Sequence, residues 1–225
     1  MTTKLLRIVS ILIACLLVFS CACAEGKNGG YVMRIDADGA IVIDGYNALY
    51  PIDPDAQPCP YRAEGLPVEF QIPAGWIETA MEKQEGFDLF AQFVPEKEQD
   101  QGMMIIVMAG NILNFVDDEH KKIVEQAGIS AEDLNNDLLD DIDFIGSLGM
   151  NKENITKKTY AGQEWLQFNF NQDEPYGNMT IRMNMTSTFF LRKGICYQFL
   201  TIGNAESNEM FGSYEQMLET VSFTD

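Results

Sequence analysis

Hydrophobic and polar residues alternate most regularly from Met179 to Leu191, where Ile181, Met183, Met185, Phe189 and Leu191 stand against Arg182, Asn184, Thr186 and Thr188. A period of two marks a strand with one covered face. Lys193-Gly194 interrupts the run and Ile195 to Ile202 resumes it, which predicts a long hairpin. Val68, Phe70 and Ile72 repeat the alternation between Pro67 and Pro73, and Pro73-Ala74-Gly75 ends that run before Trp76. Gln163 to Phe170 follows an Ala161-Gly162 turn, with Leu166, Phe168 and Phe170 facing one way. Phe87 to Val94, closed by Pro95, and Asn154 to Tyr160 are predicted as strands too. Met103 to Ala109 is apolar almost throughout, as a central strand covered on both faces would be.

Ahead of these lie Tyr31 to Ile35 and Ala40 to Ile43, joined by Asp36-Ala37-Asp38-Gly39. Gly and Asp there supply tight-turn chemistry, so an N-terminal β-hairpin is expected. Asp36, Asp38 and Asp44 miss the calcium-loop spacing, because Ala40 falls where a ligand is required.

The period changes to helical in three places. Val116, His120, Ile123, Val124 and Ala127 form one stripe, stopped by Gly128. Leu134, Leu138, Ile142 and Ile145 form a second, with Ser130 and Asp133 at its start in the manner of a capping box. Met210, Phe211, Tyr214, Met217, Leu218 and Val221 predict a closing amphipathic helix packed on the sheet.

Four of the eight prolines, Pro51, Pro54, Pro58 and Pro60, fall within ten residues. Proline fixes φ and removes a donor, so this stretch is expected to be an extended connector. The expected organisation is a leader over 1–24, a hairpin and proline-rich connector over 25–63, and one main domain over 64–225.

The leader carries Lys4 and Arg7 ahead of an apolar run from Ile8 to Phe19, and Ala22-Cys23-Ala24 offers small residues to a signal peptidase. Export with cleavage after Ala24 is the favoured expectation. Lipid attachment at Cys21 is the alternative, since Val18-Phe19-Ser20-Cys21 resembles in part a lipoprotein signal with an unusually bulky Phe19. Leu12-Ile13-Ala14-Cys15 fits that signal better but would leave apolar residues exposed behind it. Either route places the chain outside the cytoplasm, secreted or lipid-anchored at the outer face of the membrane, with no membrane span.

The order of elements resembles the PsbP-like fold. An N-terminal hairpin precedes a strand ending in Ile72-Pro73-Ala74-Gly75-Trp76; two more strands, a helical excursion, antiparallel strands and a last helix follow. Phe211-Gly212-Ser213-Tyr214-Glu215-Gln216-Met217-Leu218-Glu219-Thr220-Val221-Ser222-Phe223 is similar to that family's terminal helix running into a short strand. The resemblance covers about residues 64–225. It implies an α+β fold, an antiparallel sheet with helices packed on both faces, preceded by the N-terminal β-hairpin. It also implies a binding or assembly role, usually without catalysis.

Charge narrows the partners. The chain holds 15 Lys and Arg against 34 Asp and Glu, a formal net charge of −19, and loss of the leader makes it more negative. That excludes nucleic acid and anionic membrane surfaces as natural partners. His120 is a lone imidazole without a second ligand, and no Gly-x-Ser-x-Gly elbow exists, so neither a zinc site nor a serine triad is expected. Glu132, Asp133, Asp137, Asp140, Asp141 and Asp143 crowd one helix and read as a solvated face rather than a cation cage. Trp76, Trp165, Phe90 and Tyr197 read as core rather than groove.

With the leader removed, Cys59 and Cys196 are the remaining cysteines and a candidate disulfide; the alternative is an isolated Cys59 thiol and a small apolar Cys196 within the sheet. No catalytic, cofactor-binding or metal-ligating residue is expected. The functional expectation is an exported, non-catalytic binding or accessory module for a protein, envelope component or small ligand. The alternative is an extracellular hydrolase using a carboxylate pair that the sequence does not identify.

Overall fold

The computed structural model describes residues 31–35, 38–46, 57–81, 84–96, 104–116, 118–136, 155–176, 178–202 and 210–224. The leader, Cys21, and the Leu138, Ile142 and Ile145 part of the second helical stripe lie outside these residues. Among the described residues twelve strands are found in chain order: β1 Tyr31–Ile35, β2 Ile41–Tyr46, β3 Cys59–Arg62, β4 Val68–Ile72, β5 Trp76–Thr79 and β6 Leu89–Pro95. There follow β7 Ile105–Asn111, β8 Ile155–Tyr160, β9 Gln163–Tyr176, β10 Met179–Arg192, β11 Ile195–Ile202 and β12 Ser222–Phe223. The described α-helices are α1 Asp118–Gln126 and α2 Met210–Glu219.

The strands build a nine-stranded sheet and a three-stranded one, ordered β12-β4-β3. In the large sheet, β5, β6, β7, β11 and β10 are successive antiparallel neighbours. At 14 residues, β10 is long enough to serve three partners. One edge carries β9, outside which lies β8. The other edge pairs with β11 along Met185–Arg192 and, in parallel, with β2 along Ile181–Met183. The hairpin therefore extends the large sheet instead of standing apart from it.

Alternation sorts side chains onto two faces. Along β11, Tyr197 and Phe199 enter one cluster with Trp165, Phe93, Phe70 and Tyr214. Cys196 joins Ile112, Leu166 and Leu191 on the opposite face, and Leu200 joins Met104, Ile106 and Met108 there. The small sheet and α2 cover the first face. Tyr214, Met217, Leu218 and Val221 are buried at the i, i+3, i+4, i+7 spacing of one helical stripe. The aromatic core beneath is tightly set, with Trp165 stacked obliquely 4.8 Å from Phe190 and edge-on 5.8 Å from Phe199.

The expected sheet between helices is corrected. Among the described residues the structure is mostly β, with two α-helices, and helices do not pack on both faces. On one face a second sheet takes the place expected of a helix. Its first strand, β3, lies in the stretch read as connector: Pro60 is accommodated because β3 pairs with β4 and with no other described strand, so a missing N–H costs little at that edge. Among the described residues, the other face is met by the turn at Ile112–Asn114, by α1 and by Leu134. Of α1, Val124 is buried while Ile123 is 55% exposed, so the predicted stripe is only partly used. Leu134 is buried too, but it follows a 3-10 turn over Ala131–Asp133. Ser130 donates to Asp133 Oδ2 at 2.7 Å and its carbonyl accepts from the Asp133 N–H, a side-chain bond and a turn bond in place of the expected capping box. The stop at Gly128 holds: at φ +66 it lets Ile129 N–H reach the Val124 carbonyl and its own N–H reach that of Glu125.

The stretch from Val68 to Thr79 divides between the sheets. Gly75 at φ +77 and a Trp76 N–H to Pro73 carbonyl bond turn the chain out of β4 and into β5. Trp76 is buried in the core, as expected of it.

Candidate functional site

Where α2 lies across the ends of β4 and β8, it leaves a groove of about 620 Å³. Three local features create it. Thr220, just past the helix, accepts the Gln71 N–H at 2.9 Å and donates to the Met217 carbonyl at 2.8 Å, which ties the helix end to β4. Glu219 accepts the Ala161 N–H at 2.9 Å, which ties the same helix to the turn between β8 and β9. Ala161 holds that turn at φ 49 with Gly162 at φ 72, the left-handed region a tight hairpin needs. Pro58 and Pro73 wall the groove, and Tyr160 lines it.

Its charge comes from Glu215 and Glu219, one helical turn apart on α2 and about 5–6 Å between Cβ atoms. No basic side chain is among its lining residues. The Tyr160 hydroxyl lies 3.3 Å from Glu215 Oε1 and donates to it. Burial, with the Glu215 charge adding to it, pushes the Tyr160 phenol up to about 12, even though an N–H from Gln167 acts in the opposite direction. The phenol is therefore neutral at physiological pH and fixed as a donor to Glu215.

From Tyr160 a polar chain runs inward beneath α2. Gln167 Nε2 donates to Tyr160 Oη at 3.1 Å and to Thr188 Oγ1 at 3.2 Å. Thr188 Oγ1 is 2.6 Å from Tyr214 Oη, which donates to the Phe199 carbonyl at 2.9 Å. One proton assignment serves every group: Thr188 donates to Tyr214, and each hydroxyl accepts one bond and gives one. Complete burial drives the Tyr214 phenol well above its ordinary value, although the Thr188 bond opposes this. Trp165 Nε1 donates to the Tyr160 carbonyl at 3.2 Å, so the backbone beneath the groove is held from the core as well.

The residues singled out from sequence lie elsewhere. Trp76, Trp165 and Tyr197 are buried core. Phe90 is half-buried against Phe87, 5.6 Å between centroids, on the other face. His120 falls in α1. Glu132 and Asp133 sit in an exposed turn, and Asp137, Asp140, Asp141 and Asp143 lie outside the described residues. Among the described residues, no three His, Cys, Asp or Glu side chains are grouped so as to hold a metal ion. Cys59 and Cys196 are free thiols in this structure. Cys59 is exposed on the sheet that covers one face of the large sheet, while Cys196 points to the opposite face, where burial pushes its thiol up to about 12.

Sequence reasoning missed Tyr160, Glu215 and Glu219. The glutamates had a signal, since they repeat at i, i+4 on the polar side of a predicted helix. Tyr160 had none, because its role depends on a helix over fifty residues away. Thr186 and Thr188, read as the polar side of a half-covered strand, are wholly buried because the other face of β10 is roofed as well.

No family model matches the chain, and no curated protein matches it. Solved structures do. Cyanobacterial PsbP from Synechocystis is similar at a TM-score of 0.42 and 14% identity, over 75% of this chain and 94% of that one. LpqN of Mycobacterium tuberculosis, a protein involved in cell envelope biogenesis, matches at a TM-score of 0.39 and 11% identity, over 77% and 94%. A Bacteroides thetaiotaomicron protein matches at a TM-score of 0.37 and 12% identity over 71% of this chain. This chain spans only 46% of the Bacteroides protein. At such identities the likeness concerns the fold alone.

Proposed function

We propose that this chain is an exported, non-catalytic binding or accessory module that engages its partner at the groove beside α2. One observation carries the reading: the groove carboxylates are anchored side by side on a single helix instead of facing each other. Acid and base in a carboxylate-dependent hydrolase flank the bond they cleave from opposite sides. Glu215 and Glu219 share a helix face and each already accepts a hydrogen bond, from Tyr160 and from the Ala161 amide. That arrangement holds a charge in place, which is what recognition requires. The basic n-region, apolar run and Ala22-Cys23-Ala24 support an address outside the cytoplasm, secreted or lipid-anchored through Cys21. Among the described residues, no helix is long and apolar enough to cross a membrane.

A photo-crosslinking residue at Gln216, which lines the groove and is exposed, tests the reading in the native cell. A discrete adduct that Glu215→Gln abolishes is expected, with none from the same probe at exposed Lys193. A hydrolytic activity that Glu215→Gln or Glu219→Gln reduces a hundredfold, with folding intact, would overturn it. Intact mass tests the address: a chain beginning at Glu25 is expected, a diacylglycerol-bearing chain beginning at Cys21 supports lipidation instead, and an uncleaved Met1 terminus rejects export by this leader.

A further inference from the structure

The polar chain beneath α2 ends, at both extremes, on a group that can only accept: the Glu215 carboxylate in the groove and the Phe199 carbonyl in the sheet. Tyr160, Gln167, Thr188 and Tyr214 lie between them, and all four are buried. Gln167 stands in the middle, its Nε2 3.1 Å from the Tyr160 hydroxyl and 3.2 Å from that of Thr188. Each hydroxyl has one proton to give and room to accept; the amide alone has a donor side and an acceptor side. As the structure stands, protons point away from Gln167 in both directions. Tyr160 donates to Glu215, while Thr188 donates to Tyr214 and Tyr214 to Phe199.

A second arrangement fits the same atoms. The Gln167 carboxamide turns over about its last torsion, which is broad and two-fold. Its oxygen then stands where the nitrogen stood, and its two lone pairs accept from Tyr160 and Thr188. Tyr214 already lies within bonding distance of two acceptors, 2.6 Å from Thr188 Oγ1 and 2.9 Å from the Phe199 carbonyl. Its one proton now goes to Thr188. Every proton points toward Gln167, and both ends of the chain lose their donor. No proton leaves its own oxygen or nitrogen; only torsions change. Among the described residues nothing donates to Gln167 Oε1 in the first arrangement, so turning the amide breaks no bond on its far side.

One amide serves both halves of the chain, so its two ends make and break together. Resting on the reading of this groove as the binding site, we infer that Gln167 is a two-position switch that couples the Tyr160–Glu215 contact in the groove to the Tyr214–Phe199 contact in the sheet. The charge on Glu215 strengthens its bond with Tyr160 and holds the amide in the first position. An occupant that takes Glu215 for itself, or that donates to Tyr160, favours the second, where the Tyr160 oxygen is open to accept. Such an occupant binds the two positions unequally, which is the condition for shifting their populations.

Glu215→Ala, in the full mature chain, removes the outer acceptor and needs no occupant, so a failure here leaves the binding reading to the Gln216 crosslink. Two signals are read by NMR. Gln167 side-chain amide protons lie against the Tyr160 ring and the Thr188 methyl only in the first position, and the Phe199 carbonyl carbon reports its bond from Tyr214. Glu215→Ala is expected to weaken both amide contacts and to move the Phe199 carbonyl resonance upfield, as loss of a hydrogen bond does. Gln167→Met has no amide to turn. In that background Glu215→Ala should leave the Phe199 resonance where Gln167→Met alone puts it.

Unchanged amide contacts and an unchanged Phe199 resonance in Glu215→Ala would overturn the switch. Glu215 adjoins Tyr214 along α2, so an equal Phe199 shift in both backgrounds would assign the effect to the helix and overturn it too. Should Gln167→Met not fold, the amide contacts decide alone: their weakening in Glu215→Ala supports the switch and their persistence rejects it.

Discussion

The two faces of the large sheet are covered in different ways. One is roofed by regular elements, the small sheet and α2, over an aromatic floor of Trp165, Phe190, Phe199 and Phe93. Among the described residues, the other is met by α1 and short pieces of chain over a mixed floor of aliphatic, methionine and phenylalanine side chains that includes Ile106, Met108, Leu191 and Phe189. Each solves its polar problem differently. The roofed face buries a chain of side chains, Tyr160 to Gln167 to Thr188 to Tyr214, in which every link depends on another element. The other face meets backbone groups with asparagine. Asn136 accepts the Leu191 N–H at 3.0 Å and donates to the Glu164 carbonyl, at the level where β9 and β10 have ceased to pair. Asn135 accepts the Lys193 N–H at 2.9 Å and the Leu134 carbonyl accepts that of Gly194. A regular roof leaves its own backbone satisfied and must answer for side chains; an irregular cover has backbone to satisfy, and uses short amides to do it.

The largest test of this contrast uses neighbours in one strand. Trp165 faces the roofed side and Leu166 the other. Trp165→Ala is expected to cost about 3–5 kcal/mol and Leu166→Ala about 2–4 kcal/mol, measured by urea unfolding. Trp165→Ala should also loosen the groove, since its indole holds the Tyr160 carbonyl. If Leu166→Ala costs more, the irregular cover is the tighter of the two and the contrast fails.

Overpacking comes next. Gly110→Ala puts a Cβ against the Gly86 backbone and should destabilise by about 1–3 kcal/mol, because a carbonyl in a turn cannot move aside as a flexible side-chain end can. An unchanged unfolding midpoint would mean that turn gives way freely.

The polar devices predict smaller losses. Tyr214→Phe leaves Thr188 without its acceptor and the Phe199 carbonyl without its donor; Asn136→Ala leaves the Leu191 N–H without its acceptor. Each should cost about 1–3 kcal/mol. The two share no hydrogen-bond partner, so the double variant should be additive within about 0.5 kcal/mol. A larger coupling would show that the two faces are energetically joined through the sheet.

Alkali acts on both faces, through buried phenols on the roofed one and the Cys196 thiol on the other. Burial pushes Tyr61, Tyr160 and Tyr197 up to about 12 and drives Tyr214 well above its ordinary value. Their phenols ionise near 10 in the unfolded chain, so above that pH the unfolded state holds fewer protons and stability falls as pH rises toward 12. The contribution is fully present below pH 10. All four phenols belong to or pack against the roofed face, so Tyr214→Phe should lessen the alkaline slope, the Cys196 thiol still contributing from the other face, while Asn136→Ala leaves it unchanged. The smallest effect is on thiol reactivity. Under native conditions Cys59 should react with a thiol reagent and Cys196 only on unfolding, giving two thiols per unreduced mature chain; none would mean the Cys59–Cys196 bridge forms after all.

The local pattern determined much about this protein: the alternating runs that became β4, β6, β8 to β11 and the long hairpin at Lys193-Gly194, the turn at Gly39, the helix stop at Gly128, and the buried stripe of α2. Each is a matter of period or of φ, and both are written in neighbouring residues. The tertiary structure decided what covers what. Period two says that a strand has a covered side, but not whether a helix or another sheet supplies the cover, so β3 passed for a connector and the second sheet went unseen. Nor can it say that both sides are covered, which is why Thr186 and Thr188 read as exposed and proved buried. The groove belongs wholly to this second kind of information. Tyr160, Glu215 and Gln71 are ordinary residues in sequence, and they form a site because α2 returns across β4 and β8, bringing together groups that chain entropy would otherwise keep far apart.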